Sequence, residues 1–204
     1  MGEDSERTKR LLRREVAAAC RGLDVGAAAR LAAEVSARAA AIPAVTAARH
    51  LVAYAALGRE VDPEPVVQVA RAAGASVYYP RASGAGLEFV PAHRADLVPG
   101  PHGVPEPAAG PSLAAGTPDV VVLVPGVAFD ARGGRLGRGL GCYDRALAAH
   151  PTALRIGLAY EVQIVPVVPR SSWDEAMDFV VTDARVLVGE PRKARALKEM
   201  PSWN

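Results

Sequence analysis

Hydrophobic side chains recur at helical spacing in the first forty residues. In the segment 4–21, Leu12 and Val16 lie one helical turn apart. The segment 27–40 repeats this spacing in an alanine-rich stretch, and Gly22 lies between the two segments. Because apolar residues three or four positions apart share one side of a helix, the pattern predicts two opening helices.

Short apolar runs and one helical pattern alternate over the next forty residues. The runs from His50 to Ala56 and from Ala75 to Tyr79 are typical of buried strands. Between them, the segment from Pro63 to Ala73 places a proline where the first turn of a helix accepts one. Leu87 to Val90 is a further candidate strand. Strands that alternate with helices predict a parallel α/β layer.

The clearest strand candidate is the continuous Val and Leu run that ends the segment from Asp119 to Val124. Such a run is typical of a central strand covered on both faces. A glycine-rich loop follows, and then a predicted helix from Tyr143 to Ala149, a strand from Leu154 to Ala159 and a last strand at Phe179 to Thr182. The stretch 91–118 is rich in Pro, Gly and Ala and lacks apolar periodicity.

The composition favours one domain and argues against nucleic-acid binding. The 204 residues are 50% hydrophobic and 23% charged, and 24 basic against 22 acidic residues leave a formal net charge of +2. This balance lacks the basic excess typical of nucleic-acid binding, and 5% aromatic residues build no platform for stacking bases. We expect one domain over residues 1–204, with a basic helical tail at about residues 190–204, and no nucleic-acid partner.

Cysteine usage and the length of the apolar runs predict the compartment. Cys20 and Cys142 form at most one bridge, and without a signal segment they are expected to be reduced thiols. The longest strongly apolar run, Val120 to Val124, is far shorter than the roughly 20 residues that span a bilayer. We therefore expect a soluble, cytoplasmic protein with no membrane partner.

The glycine-rich loop lies after the clearest strand, at the sheet edge where open α/β sheets bind ligands. Gly137, Gly139 and Gly141 alternate in it, so backbone amides can approach an anion without obstruction by a Cβ atom. Arg135 and Arg138 add positive charge, and the following helix offers its N-terminus. The pattern suits a phosphate cradle, and it is equally typical of a flexible surface loop.

The common nucleotide and hydrolase motifs are absent. The loop does not end in Gly-Lys-Ser/Thr, and Asp144 stands where the third glycine of a dinucleotide fingerprint falls. In the first turn of a helix, Asp144 suits either a capping carboxylate or, beside a polyphosphate, a ligand of Mg²⁺. The sequence has neither Gly-x-Ser-x-Gly nor His-Glu-x-x-His, and its four histidines show no metal-ligand spacing.

The order of residues in the loop carries a family resemblance. Pro-Gly-Val-Ala-Phe-Asp begins at Pro125, and Arg-Leu-Gly-Arg-Gly, then Gly, an aromatic residue and Asp-Arg follow it. This order resembles the 5-formyltetrahydrofolate cyclo-ligase family, also called 5,10-methenyltetrahydrofolate synthetases. Segments along nearly the whole chain are similar to other motifs of that family: Lys9 to Arg13, Gly58 to Asp62, Gly103 to Pro107, Gly157 to Gln163, and Asp174 to Thr182.

The resemblance implies a fold and a reaction. The fold is a single-domain, three-layer α/β/α arrangement with a mostly parallel central sheet. The reaction is the cyclisation of 5-formyltetrahydrofolate to 5,10-methenyltetrahydrofolate, with ATP as co-substrate, Mg²⁺ as cofactor, and ADP and phosphate as products. The enzyme is expected to act as a monomer on these small molecules.

The resemblance also implies roles for individual residues. Arg138 and Tyr143 are the expected catalytic residues, and Asp144 and Asp174 the expected metal ligands. The folate is expected to contact Ala55, Glu60, Glu106, Arg138 and Cys142. The expected ATP contacts are Lys9, Arg10, Arg13, Arg135, Leu136, Gly137, Arg138, Gly139, Leu140, Gly141, Cys142 and Tyr143.

Several of these residues have an ordinary structural alternative. The alternatives are solvated helix charges for Lys9 and Arg13, a helix cap for Glu60, a turn contact for Glu106, a core position for Tyr143 and a surface amide for Gln163.

The sequence departs from the family pattern at three places. Cys142 stands where the family usually has a second tyrosine, and Leu140 replaces a glycine or basic residue. Residues 170–173 lack the acidic residue or histidine that precedes Asp174 in relatives, so the motif supports Asp144 more fully than Asp174 as a metal ligand. A catalytically divergent relative that binds folate or nucleotide as a regulatory protein is the alternative function.

Overall fold

The computed structural model describes residues 2–84 and 86–192, and the predicted basic tail lies almost entirely outside them. The two predicted opening helices are present, and Asp24 caps the second by accepting a hydrogen bond from the Ala27 amide at 3.0 Å. None of the described helices is long and apolar enough to cross a membrane. The α-helices are α1 Gly2–Gly22, α2 Val25–Ala40, α3 Pro43–Thr46, α4 Glu64–Ala72 and α5 Cys142–Ala149.

Eleven strands are distributed over one large sheet and two small hairpins in the described residues. Short 3₁₀ turns occur at Arg94–Asp96, Pro101–Gly103 and Glu161–Gln163. The strands are β1 His50–Val52, β2 Ser76–Ser83, β3 Gly86–Pro91, β4 Leu97–Pro99, β5 Pro105–Pro107, β6 Val120–Val124, β7 Ala128–Phe129, β8 Arg135–Leu136, β9 Leu154–Leu158, β10 Phe179–Val181 and β11 Val186–Val188.

The large sheet has seven strands in the order β11-β10-β9-β6-β1-β2-β3. The five inner strands are parallel, and the two edge strands β3 and β11 run antiparallel to their neighbours. The strand predicted from the Val and Leu run is β6, all five of whose residues are buried. The predicted single-domain α/β fold with a mostly parallel central sheet is therefore confirmed.

Alternate residues of the strands face two separate apolar layers. On one face, Val121 and Leu123 of β6 pack in a cluster with side chains of α1, α2 and α4. On the other, Val122 and Val124 pack in a cluster with Leu147 of α5. This alternation produces three layers, because a side chain in a strand points to the opposite face from its neighbours.

One prediction about the elements was wrong. The strand at Phe179 is not the last, because the chain turns at Thr182, whose hydroxyl accepts hydrogen bonds from the amides of Ala184 and Arg185, and returns as β11. The stretch 91–118, in which the sequence pattern predicted no element, contains the β4–β5 hairpin. Each missed strand has only three residues, too few for a periodic pattern to identify.

A buried aspartate shapes the turn that leads into the glycine-rich loop. Asp130 is 3% exposed, and its carboxylate accepts hydrogen bonds from the amides of Arg132, Gly134 and Val168 at 2.8–2.9 Å. Gly133, within this turn, has φ +84°, and a Cβ atom there would lie 2.3 Å from the carbonyl oxygen of Met177.

Gly133→Ala is expected to lower the free energy of unfolding by at least about 2 kcal/mol, because it adds a backbone clash to an unfavourable left-handed conformation. Denaturant unfolding measures the change. Gly22→Ala is the control: a Cβ atom there meets nothing within 4 Å, and its effect should stay within about 0.5 kcal/mol. Equal effects of the two substitutions would contradict the predicted clash.

Candidate functional site

A cavity of about 470 Å³ lies at the carboxyl ends of the parallel strands. Tyr54 and Ala55 follow β1, and Pro125 and Gly126 follow β6, and all four residues line it. The glycine-rich loop closes one side, and α1 reaches the cavity with Glu6, Lys9 and Arg13. The predicted binding edge of the sheet is thus where a cavity of ligand size occurs.

The glycines of the loop occupy conformations that other residues rarely adopt. Gly139 has φ +108°, and Gly141, with φ +64°, is the residue that caps the N-terminus of α5. At Gly137, a Cβ atom would lie 2.8 Å from Nη1 of Arg135. The backbone path therefore favours glycine at residues 139 and 141, whereas a side chain at residue 137 would require Arg135 to shift.

Gln163 fixes the beginning of the same loop. It is 7% exposed, and its Nε2 donates to the carbonyl oxygens of Gly126 at 2.9 Å and Val127 at 3.0 Å. Its Oε1 accepts a hydrogen bond from the Tyr160 amide at 2.8 Å. The surface-amide alternative for Gln163 was wrong, because a buried amide with three such bonds positions the chain after β6.

Arg135 and Asp144 form an ion pair inside the cavity wall. Nη2 of Arg135 lies 2.9 Å from both carboxylate oxygens of Asp144, and these side chains are only 4% and 14% exposed. The amide of Glu175 also donates to Asp144, at 3.1 Å, and the Arg135 guanidinium lies 5.7 Å from the ring centre of Tyr143. Asp144 thus connects the loop, α5 and the segment around Glu175. Among the described contacts, no side chain caps the N-terminus of α5, so Asp144 is not a capping carboxylate there.

Lys9 and Asp174 form a second ion pair in the same wall. Lys9 is 6% exposed, and its Nζ donates to Oδ2 of Asp174 at 2.9 Å. The Ser171 amide donates to the same oxygen at 2.7 Å. Lys9 is therefore not a solvated helix charge, and it joins α1 to the segment that follows residue 170.

The other basic residues of α1 differ in position. Arg13 is partly buried, lines the cavity and donates from Nε to the carbonyl oxygen of Gly137 at 2.9 Å. Arg10 is exposed and does not line the cavity, although the resemblance implies an ATP contact for it. The helical repeat explains the difference, since Lys9 and Arg13 are four residues apart on one face.

Arg138 and Glu60 pair across the mouth of the cavity. Nη2 of Arg138 lies 2.7 Å from Oε1 of Glu60, and the two side chains are 59% and 19% exposed. Oε2 of Glu60 accepts a hydrogen bond from the Leu57 amide at 2.9 Å. Glu60 therefore does not cap α4, whose N-cap residue is Pro63. The contact places a solvent-accessible cation beside a largely buried carboxylate.

Tyr143 and Cys142 follow at the start of α5, and both line the cavity. Desolvation raises the pKa of the Tyr143 hydroxyl well above its usual value, and the Glu60 carboxylate raises it further. With its pKa raised, the Tyr143 hydroxyl stays protonated near neutral pH and is able to donate a hydrogen bond. Cys142 is a free, partly exposed thiol, 3.7 Å from Nη2 of Arg145, and Leu140 is 62% exposed.

Glu106 reaches the cavity from the β4–β5 hairpin. Its Oε2 accepts a hydrogen bond from the amide of Ala82 in β2 at 2.9 Å. Gly100 lies close beneath it, where a Cβ atom would be 2.5 Å from Cδ of Glu106. The turn-contact alternative was wrong, because Glu106 binds a strand 24 residues away in sequence.

The structure brings all the sequence-predicted site residues except Arg10 to the cavity, and it adds others. Three of these additions had a signal in the sequence. Tyr54 lies in the second half of the predicted strand His50 to Ala56, and Pro125 and Gly126 directly follow the predicted strand Asp119 to Val124. The remaining additions depend on how hairpins and termini pack and have no such signal. They are Glu6, Leu57, Pro80, Ala82, Gly84, Gly86, Leu87, Pro101, Val104 and Trp173.

Asp144 and Asp174, the two predicted metal ligands, both line the cavity. Among the described residues, no group of three or more His, Cys, Asp or Glu side chains forms a metal-binding cluster. Mg²⁺ usually takes one or two protein carboxylates and completes its shell with phosphate oxygens and water. The donors present therefore fit Mg²⁺ that is bound together with a polyphosphate, and not a closed site made of protein alone.

Comparison with known proteins finds a family model and individual relatives that carry the same family name. The model of the 5-formyltetrahydrofolate cyclo-ligase family matches residues 5–183. The 5-formyltetrahydrofolate cyclo-ligase of Escherichia coli K12 is 32% identical over 152 residues, which cover 71% of this chain and 83% of that protein. The enzyme of the same name from Mycolicibacterium smegmatis is 42% identical over 69 residues, which cover 33% and 36%.

Solved structures share the fold. The NMR structure of Aquifex aeolicus 5,10-methenyltetrahydrofolate synthetase superposes with a TM-score of 0.77 at 29% identity and covers 96% of both chains. The 5,10-methenyltetrahydrofolate synthetase of Mycoplasma pneumoniae gives a TM-score of 0.70 at 20% identity, covering 86% of this chain and 98% of that one. At that identity, the second similarity concerns the fold alone.

Proposed function

Because the chain belongs to the 5-formyltetrahydrofolate cyclo-ligase family, a family of enzymes, we propose that it cyclises 5-formyltetrahydrofolate to 5,10-methenyltetrahydrofolate at the expense of MgATP. ADP and phosphate are the other products. The single observation that carries the proposal is the convergence of a glycine-rich loop, two α1 cations and two carboxylates on one cavity.

ATP would be held by the loop and by α1. The amides of Gly137 to Gly141 and the N-terminus of α5 suit phosphate oxygens. Lys9 and Arg13 of α1 would supply positive charge beside the loop, which Arg13 contacts at Gly137. Asp144 and Asp174 would bind Mg²⁺ jointly with the phosphates, and the ion would neutralise charge on the transferring phosphoryl group. Positioning and charge neutralisation are what phosphoryl transfer chiefly requires.

The reaction balances without a covalent protein intermediate. The formyl oxygen attacks the γ-phosphorus and the bond to ADP breaks; N10 then adds to the activated formyl carbon. The carbon–oxygen bond breaks, and the formyl oxygen leaves in the phosphate with the N10 proton. Arg138, which pairs with Glu60 in the free protein, would leave that carboxylate to stabilise the transferring phosphoryl group. The Glu60 carboxylate would then accept hydrogen bonds from the folate. Tyr143, which stays protonated, donates a hydrogen bond and does not serve as a base.

The test is the near-ultraviolet absorbance of the methenyl product when the folded chain is mixed with 5-formyltetrahydrofolate, ATP and Mg²⁺. We expect product only when all three are present. Tight binding of 5-formyltetrahydrofolate without product or ADP formation would contradict the proposal and favour the regulatory alternative suggested by Cys142 and Leu140.

A further inference from the structure

A buried arginine outside the cavity contacts both elements that carry the proposed metal ligands. Arg155 lies on β9, and its side chain is 1% exposed. Its Nη2 donates to the carbonyl oxygen of Leu147, in the last turn of α5, at 2.8 Å, and its Nη1 pairs with the carboxylate of Glu175. One cation therefore contacts the helix that carries Asp144 and the segment that carries Asp174.

Glu175 connects this arginine to the cavity wall. Its side chain is bound by Arg155, and its backbone amide donates to Oδ1 of Asp144 at 3.1 Å. Asp174 is the preceding residue, and its own carboxylate is held by Lys9. Glu175 therefore links the two cavity carboxylates, since its amide binds Asp144 and its chain neighbour is Asp174.

The guanidinium group suits this role for two reasons. It keeps its charge even when buried, and its planar nitrogens donate in fixed, diverging directions, so it reaches Leu147 and Glu175 at once. A cation is also favourable at the C-terminus of α5, where the helix carbonyls carry partial negative charge. A lysine at residue 155 would keep the charge but would lose the rigid double contact.

We propose that Arg155 is a positioning residue that holds the Asp144 and Asp174 carboxylates in the arrangement that binds Mg²⁺ together with ATP. This inference rests on the proposed function, since it concerns the metal of that reaction. Arg155 acts through Glu175 and α5 and touches neither substrate.

Arg155→Lys and Arg155→Met test the proposal, with Arg192→Met as the matched control. The Arg192 side chain is also only 9% exposed, but its hydrogen bonds go to Asp178, Pro151 and Ala153. We expect the Arg155 variants to raise the Mg²⁺ concentration for half-maximal ATP binding, measured by calorimetry, at least about 10-fold. The KM for 5-formyltetrahydrofolate should stay within about twofold, and Arg192→Met should change neither quantity.

Amide hydrogen exchange in the ligand-free protein provides a readout that needs no turnover. The Glu175 amide should exchange at least about 10-fold faster in Arg155→Lys than in the wild type, and at an unchanged rate in Arg192→Met. Should Arg155→Met fail to fold, Arg155→Lys decides the outcome. The inference would be overturned if Arg155→Lys bound ATP with the Mg²⁺ dependence of the wild type and its Glu175 amide exchanged at the wild-type rate. It would also be overturned if the Arg155 variants weakened Mg²⁺ binding and folate binding equally.

The failure of the proposed function gives a different result. In that case the wild-type chain itself would show no Mg²⁺-dependent ATP binding, which contradicts the function and the inference together. A wild type that binds MgATP and a folded Arg155→Lys that matches it contradict the inference alone.

Discussion

Arg138→Ala is expected to lower kcat at least about 100-fold and to leave the thermal stability almost unchanged. The substitution removes an exposed cation of the glycine-rich loop that lines the cavity and is proposed to neutralise charge on the transferring phosphoryl group. Because the Arg138 side chain is 59% exposed, its ion pair with Glu60 contributes at most about 1 kcal/mol to folding. For a chain of this size, such a loss shifts the melting temperature by less than about 4 °C. Steady-state kinetics and a thermal melt measure the two effects.

Arg132→Ala is the matched control for this prediction. Arg132 lies six residues earlier, is 73% exposed and does not line the cavity, so its removal should leave kcat within about twofold of the wild type. If Arg138→Ala retained near-normal kcat, or if Arg132→Ala lost as much activity, the loop cation would have no special part in phosphoryl transfer.

Asp144→Asn should also lower kcat at least about 100-fold, through the loss of a proposed Mg²⁺ ligand. It should in addition lower the free energy of unfolding by about 3–5 kcal/mol, because Arg135, 4% exposed, is left as a buried charge without its carboxylate. Steady-state kinetics well below the melting temperature measure the loss of kcat, and denaturant unfolding measures the loss of stability.

The double variant Arg135→Met/Asp144→Asn removes both charges of the pair and serves as the stability control. It should recover much of the lost stability, because no unpaired charge remains buried, yet it should stay as inactive as the single variant. Recovery of activity together with stability would mean that Asp144 contributes only to folding.

The position of the site could be predicted from the sequence, because it depends on local signals. A continuous Val and Leu run identified β6, and the rule that parallel sheets bind ligands at carboxyl ends pointed to the glycine-rich loop. The spacing of Lys9 and Arg13 placed both on one face of α1, and the family resemblance, now confirmed, joined these segments.

The pairing of charges could not be predicted, because it depends on contacts between residues far apart in sequence. Lys9 and Asp174 are 165 positions apart, and Arg138 and Glu60 are 78 apart, so no local pattern relates them. From its position in the sequence, Asp144 suited a helix cap, but in the structure its carboxylate forms an ion pair with Arg135. Arg155 had a signal that was missed, since a charged residue inside the apolar run Leu154–Leu158 indicates a buried partner.

The fate of the formyl oxygen tests the proposed chemistry most directly. 5-Formyltetrahydrofolate labelled with ¹⁸O in its formyl group is incubated with ATP, Mg²⁺ and the folded chain, and the released phosphate is analysed by mass spectrometry. If the formyl oxygen attacks the γ-phosphorus, each phosphate carries one ¹⁸O atom. Unlabelled phosphate, as water attack on ATP would give, or no phosphate release at all, would contradict the account.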